Sequence, residues 1–246
     1  MVILRLIGLV FFCCLMYACI EGEEDVWIEA DGSARIVATY RVPAMLLSEK
    51  DSEQFKQSVE SGIGANPHLR LVTNRVDREQ GRRVIRLEIE TDQIAALEDL
   101  GGKPDPNIQP TKSSRILNAI LGTIEMNMEG LNVSLRREVD LKPLLDKYVG
   151  KNASAMLDDS EFRYTIHLPK GVKNSNAHEV SENGQVLRWR YNLGELKGEP
   201  IVMHMIAPVP IPWWLYVVVV AIALVILGVA WKFLGSRWRR FRGKRA

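Results

Sequence analysis

Four histidines, at positions 68, 167, 178 and 204, and three cysteines are the residues of this 246-residue chain with the widest chemical repertoire. The histidines form no His-Glu-x-x-His or His-x-His pattern. Cys13, Cys14 and Cys19 all fall in the first nineteen residues, so the rest of the chain holds no thiol nucleophile, disulfide framework or thiolate zinc site. His167 and His204 sit on the polar phase of strand-like segments, where solvated side chains are expected. The thioethers of Met126-Asn-Met128 and Met203-His-Met205 could take Cu(I), but they are in register with Ile124 and Ile201, so core packing is the expectation for all four. The carboxylate pairs Glu98-Asp99 and Asp158-Asp159 stand where turns and helix ends are expected. Gly-x-Ser-x-Gly, P-loop and Gly-x-Gly-x-x-Gly patterns do not occur. The expectation is a protein that is not an enzyme and has no catalytic residue, resident metal or cofactor.

One covalent chemistry remains. Arg5 precedes an apolar run from Leu6 to Ala18, the plan of a secretory signal peptide over residues 1–18. Its end, Leu15-Met-Tyr-Ala-Cys19, resembles a bacterial lipobox, which makes Cys19 the candidate lipidation residue. Met16 and Tyr17 depart from that pattern. Ordinary cleavage nearby, or an uncleaved anchor, would leave Cys19 a plain thiol. At the other end, residues 213–231 carry no charge and at 1.5 Å per residue cover about 27 Å, close to the thickness of a bilayer's hydrocarbon core. This segment reads as a transmembrane helix with Trp213, Trp214 and Trp231 as membrane-interface anchors.

Charge orients that span. Residues 213–246 hold seven basic residues and no acid, whereas the stretch between Ile20 and Pro212 carries 24 basic against 30 acidic residues, a net of −6. The positive-inside rule then makes residues 232–246 a cytoplasmic tail and residues 19–212 an extracytoplasmic domain of a single-pass membrane protein. Arg237, Arg239, Arg240 and Arg242 with Trp238 and Phe241 would also suit nucleic acid. A short tail tethered at a membrane needs no partner beyond lipid headgroups, so nucleic acid is not expected.

The elements that position these residues are mostly strands. Period-two alternation recurs around Val26, Ile36–Val42, Leu69, Ile85–Ile89, Ile124–Met128, Leu131–Leu135, Phe162–Leu168, Leu187–Tyr191 and Ile201–Met205. Asp31-Gly32, Glu79-Gln-Gly81, Glu129-Gly130 and Glu182-Asn-Gly184 supply turns. Helices are expected from Ser48 to about Ser61, Asp92 to Leu100, Ser114 to Leu121 and Lys142 to Val149. The fold class is therefore α+β: a curved antiparallel sheet of about nine strands with helices on one face, plus the C-terminal transmembrane helix.

Cys19 with the acidic residues after it, the segment Val26-Trp-Ile-Glu-Ala-Asp-Gly-Ser-Ala-Arg35, the strand Val186-Leu-Arg-Trp189 and the terminal helix with its basic tail together resemble the LppM-like bacterial membrane lipoproteins. The resemblance implies an exported α+β domain for which lipid or glycolipid binding is the proposed role. Only Cys19 transfers residue by residue. The expected function is a non-enzymatic envelope protein, with the membrane and a lipid or glycolipid as partners. The alternative is an envelope interaction or assembly protein without a small ligand.

Overall fold

The computed structural model describes residues 20–44, 46–100, 111–148, 157, 160–196, 199–209, 217–218 and 220–227. The chain divides into two compact units, residues 1–209 and 210–246.

Among the described residues the first unit holds eleven strands in two sheets. In chain order they are β1 (Glu21–Ile28), β2 (Ala34–Pro43), β3 (Leu69–Glu79), β4 (Arg82–Thr91), β5 (Thr123–Glu129), β6 (Asn132–Val139), β7 (Glu161–His167), β8 (Asn174–Ser175), β9 (Glu179–Ser181), β10 (Val186–Asn192) and β11 (Ile201–Pro208). The larger sheet runs β3-β4-β2-β1-β7-β10-β9 and the smaller one β5-β6-β11-β8. The α+β class and the long strands agree with the sequence, but the single antiparallel sheet of about nine strands does not. The strands split seven and four, and β1 pairs with β7 in parallel. Alternation marks a strand with one buried face without saying which sheet it joins, and β8 and β9 are too short to alternate.

Tight turns with a glycine at positive φ join the local pairs. Gln80 (φ 48°) and Gly81 (φ 79°) link β3 to β4, and Asp31 accepts hydrogen bonds from the Ser33 backbone and hydroxyl beside the β1–β2 turn. The β5–β6 turn is shifted one residue toward the C-terminus from the Glu129-Gly130 that the sequence suggests. Glu129 pairs with Asn132, which leaves Gly130 and Leu131 as the loop and takes Leu131 out of the strand.

Inward residues of both sheets meet in one core. Val26, Ala38 and Ile166 of the larger sheet share it with Leu135, Val139, Met203 and Met205 of the smaller. The second sheet thus supplies part of the cover expected from helices alone. Among the described residues three helices add to it: α1 (Glu49–Gly64), α2 (Lys112–Leu121) and α3 (Lys142–Tyr148). α1 buries Phe55, Val59 and Ile63, and runs through Gly62 because that glycine keeps a helical φ. Residues 94–99 form a 3-10 turn rather than an α-helix.

Ser48 caps α1 with a full capping box to Asp51, whose carboxylate also takes an ion pair from Lys112 Nζ at 2.8 Å at the start of α2. The Ser113 hydroxyl donates to the Asp51 carbonyl at 2.9 Å, so one residue joins the two helix starts. The Lys112 bond, then those from Ser48, hold the Asp51 carboxyl below its ordinary value. A carboxyl depressed in the folded state stabilises above its unfolded pKa, and that contribution disappears as pH falls through the folded value. Asp51→Asn should cost about 1–2 kcal/mol at neutral pH, with the gap between the two proteins closing in acid. Thermal melts across pH 3–7 check this, and a gap independent of pH would refute it.

In the second unit, residues 217–218 and 220–227 are helical, and Val217, Val220, Ile222, Leu224, Val225, Ile226 and Leu227 are all exposed. The remainder of the span expected at 213–231 lies outside the described residues. Among the described residues no helix is long and apolar enough to cross a membrane.

Candidate functional site

Gly22, Glu24, Val26 and Ile28 share one face of β1, and Val133, Leu135, Arg137 and Val139 share one face of β6. Strand geometry therefore aims an acid and a base of opposite sign into the same interior. The side chains of Glu24 and Arg137 are each 3% exposed and form a bidentate pair: Arg137 Nη1 donates to Glu24 Oε2, and Nη2 to Oε1 at 2.9 Å. The rest of the guanidinium is also bonded. Nε donates to the Leu121 carbonyl at 3.0 Å and Nη2 to that of Ile120 at 3.1 Å, closing the last turn of α2. Tyr40 on β2 donates its hydroxyl to Glu24 Oε1, and the Tyr164 ring of β7 lies 4.8 Å from the guanidinium carbon. One cluster thus ties together β1, β2, β6, β7 and α2.

Its electrostatics follow from burial and pairing. Burial, then the negative Glu24, pushes the Tyr40 hydroxyl well above the usual tyrosine range, and burial also raises that of Tyr164. Burial opposes the charge on Arg137, but the Glu24 carboxylate outweighs it and holds the guanidinium more firmly protonated than in water. The cluster is closed to solvent and its charges face one another, which suits a clamp rather than proton transfer.

Two apolar cavities lie beside it, with Tyr40 in the wall of both. The first, of about 50 Å³, is lined by Ile20, Val42, Leu47, Ile116, Ile120, Leu144 and Phe162 among others, with almost no polar surface. The second, of about 30 Å³, has Val26, Ala38, Ile124, Leu135 and Tyr164 in its walls. Gly22 belongs to the first, and a Cβ there would meet the Phe162 ring at 2.7 Å, so its hydrogen lets that ring close the wall. A wider groove of about 510 Å³ between α1 and α2 is open and partly polar, with Asn66 bonded to Asp99 beside it. Its walls are more polar than those of the first cavity, which is the better candidate for an apolar ligand.

Cys19, Trp213, Trp214 and Trp231 lie outside the described residues, as do Asp158, Asp159 and the basic tail. The described histidines are spread over separate contacts. His68 pairs with Asp92 at 2.9 Å, and His167 stacks on Trp27 at 5.1 Å. His178 accepts from the Arg190 backbone and meets Tyr191 edge-on, and the His204 backbone donates to Asn176. Among the described residues no three His, Cys, Asp or Glu side chains converge as metal ligands. Met203 and Met205 are core residues as expected, but Met128 is 71% exposed, because its phase is inward while its position is beyond the core.

Neither Glu24 nor Arg137 was singled out from the sequence, although the strand phase carried a signal for both. Glu24 continues the inward phase of Val26 and Ile28, and Arg137 that of Val133 and Leu135. The cavity had no such signal, since its walls come from strands, two helices and a loop.

No known family profile matches the chain, and no curated protein does. Among solved structures it is similar to the NMR structure of the folded domain of the Mycobacterium tuberculosis LppM protein. The two share 14% identity over 78% of this chain and 91% of that one, with a TM-score of 0.49. That neighbour is of the kind the N-terminal and late-strand motifs resemble.

Proposed function

We propose that the chain is a membrane-anchored, non-enzymatic envelope protein whose exported domain, residues 19–212, holds an acyl chain of a lipid or glycolipid in the first cavity. The observation that carries the reading is that cavity: nearly wholly apolar, and bounded by Ile20, the residue after Cys19. An aliphatic chain gains about 0.8 kcal/mol for each methylene buried there. A cavity needs roughly 10–15 Å³ per small group, so about 50 Å³ admits a short end of such a chain without rearrangement. Deeper entry requires a wall to move. α3, at seven residues, is held by packing rather than by its own helical stability, and its Leu144 lines the cavity.

The anchor is the 213–231 segment, supported by the exposed aliphatic residues around the described part of its helix, a pattern that suits lipid better than water. Acylation of Cys19 would add little to that attachment and would instead hold the start of β1 close to the bilayer.

Filling the cavity tests the reading. Full-length protein extracted from membranes of a bacterial host should release a defined lipid on denaturation, read by mass spectrometry against total membrane lipid. Ile116→Trp should lose most of that lipid while keeping its melting transition. Equal lipid in both proteins, or none in either, would sink the binding role and favour an assembly protein without a small ligand.

A further inference from the structure

The large hydrophobic residues that the first unit leaves exposed are distributed unevenly. Val72 on β3 and Val180 on β9 are 43% and 48% exposed, whereas Met128 and Leu131, three residues apart at the β5–β6 hairpin tip, reach 71% and 65%. The tip is the end of a continuous apolar row. Met126 and Met128 pair across to Leu135 and Val133, which pair in turn with Met205 and Ala207 of β11. The row thus leaves the core along the inward face of the smaller sheet and ends in side chains with nothing upon them among the described residues. A polar tip would be the ordinary solution for a hairpin in water.

The chain path says what meets it. β11 runs beside β6 toward the tip, Pro208 pairs with Asn132, and the Val209 backbone donates to the Leu131 carbonyl at 2.9 Å. Four residues after Val209 the uncharged segment begins at Trp213, and four residues span at most about 14 Å. A chain that enters a bilayer at Trp213 therefore keeps Val209 within that distance of the headgroups, with Leu131 bonded beside it. We propose that the β5–β6 tip is a membrane-contact site, with Met128 and Leu131 dipping into the interfacial layer of the bilayer that anchors the chain. This rests on the anchor part of the proposed function and adds a second point of contact, which fixes the tilt of the domain.

The neighbouring charges limit the depth. Glu129 and Glu125 lie on the opposite face of the hairpin, across from Asn132 and Arg136, and are exposed. Burying either carboxylate in hydrocarbon is unfavourable, so the tip stops at the headgroup and upper acyl level with Glu129 in water. Shallow contact is enough, because a tethered tip meets the surface at high effective concentration and needs little affinity of its own.

Spin labels read this directly. The full chain, with Cys13, Cys14 and Cys19 changed to Ser, is labelled at Met128→Cys, Leu131→Cys, Glu53→Cys or Val218→Cys. Each protein is placed in vesicles of phosphatidylcholine and phosphatidylglycerol, and collisions with oxygen are compared with those with a water-soluble nickel chelate. Labels at 128 and 131 should show an oxygen-to-nickel ratio several-fold above that at Glu53 on α1, and nearer that at Val218. A ratio at 128 and 131 equal to that at Glu53, with Val218 in lipid, overturns the tip contact and leaves the anchor standing. Val218 in water overturns the anchor itself. Protection of the tip from both reagents, with spin–spin broadening, would make it an interface between copies and would equally overturn the proposal.

Discussion

Arg137→Met is expected to lower the unfolding free energy by about 3–5 kcal/mol, enough to leave the domain barely folded at growth temperature. The loss comes from what remains behind. Glu24 keeps a buried carboxylate whose one charged partner is gone, and the Ile120 and Leu121 carbonyls lose their donor at the end of α2. Removing the whole polar cluster should cost far less than removing one member. Glu24→Leu with Arg137→Met and Tyr40→Phe deletes both charges and the hydroxyl that donated to Glu24, and apolar replacement of buried pairs is often neutral. Urea unfolding of the purified chain, followed by tryptophan fluorescence, separates the cases, since Trp189 is buried near Tyr164. A single variant as stable as the parent would show that the pair does not clamp the sheets.

Gly122→Ala should be comparably damaging through the backbone alone. Gly122 ends α2 with φ 67° and ψ −162°, a conformation open essentially to glycine, and leads within one residue into β5. A Cβ there would stand 2.2 Å from the Glu138 carbonyl oxygen of the neighbouring strand. The dihedral strain costs about 1–3 kcal/mol before the clash is counted, and relieving the clash means moving β5 off β6. The expected outcome is a drop in melting temperature of ten degrees or so, or failure to accumulate. Gly130→Ala, at positive φ but with open space around it, gives the control without the clash and should cost about 1 kcal/mol. The two residues before Gly122, Ile120 and Leu121, supply the carbonyls that Arg137 bonds, so Gly122→Ala and Arg137→Met together should cost less than their sum.

Local chemistry in this chain was readable and long-range pairing was not. The capping box at Ser48 and Asp51, the glycine turns at 32, 81, 130 and 184, and the inward phases of β1, β2, β4 and β11 all show in short windows of sequence. α1 outran its predicted end because Gly62 takes an ordinary helical φ, and glycine permits a stop without requiring one. The division into two sheets depends on β1 meeting β7, a contact that no turn announces. Of the candidate site, the charged members Glu24 and Arg137 were missed, although both stand on apolar strand phases where a charge is unusual. The cavity wall did not, because Phe162, Ile116 and Leu144 are ordinary core residues until the fold leaves a gap among them. Met128 shows the opposite failure: periodicity gives the side of a strand a residue occupies, but not whether the core extends that far.

The parallel pairing of β1 with β7 also sets a schedule. β1 is synthesised well before β7, and it can close its hairpin with β2 at once, but the Ile20 backbone finds the Ser160 hydroxyl only 140 residues later. At ribosomal rates of about 5–20 residues per second that delay is on the order of 10 s, long compared with hairpin closure in microseconds. Through that interval one edge of β1, with Val26 and Ile28 on it, is an open template for pairing with other chains. Glu21, Glu23, Glu24 and Asp25, four acids in the first five residues of the strand, give that waiting edge a charge that repels its own kind.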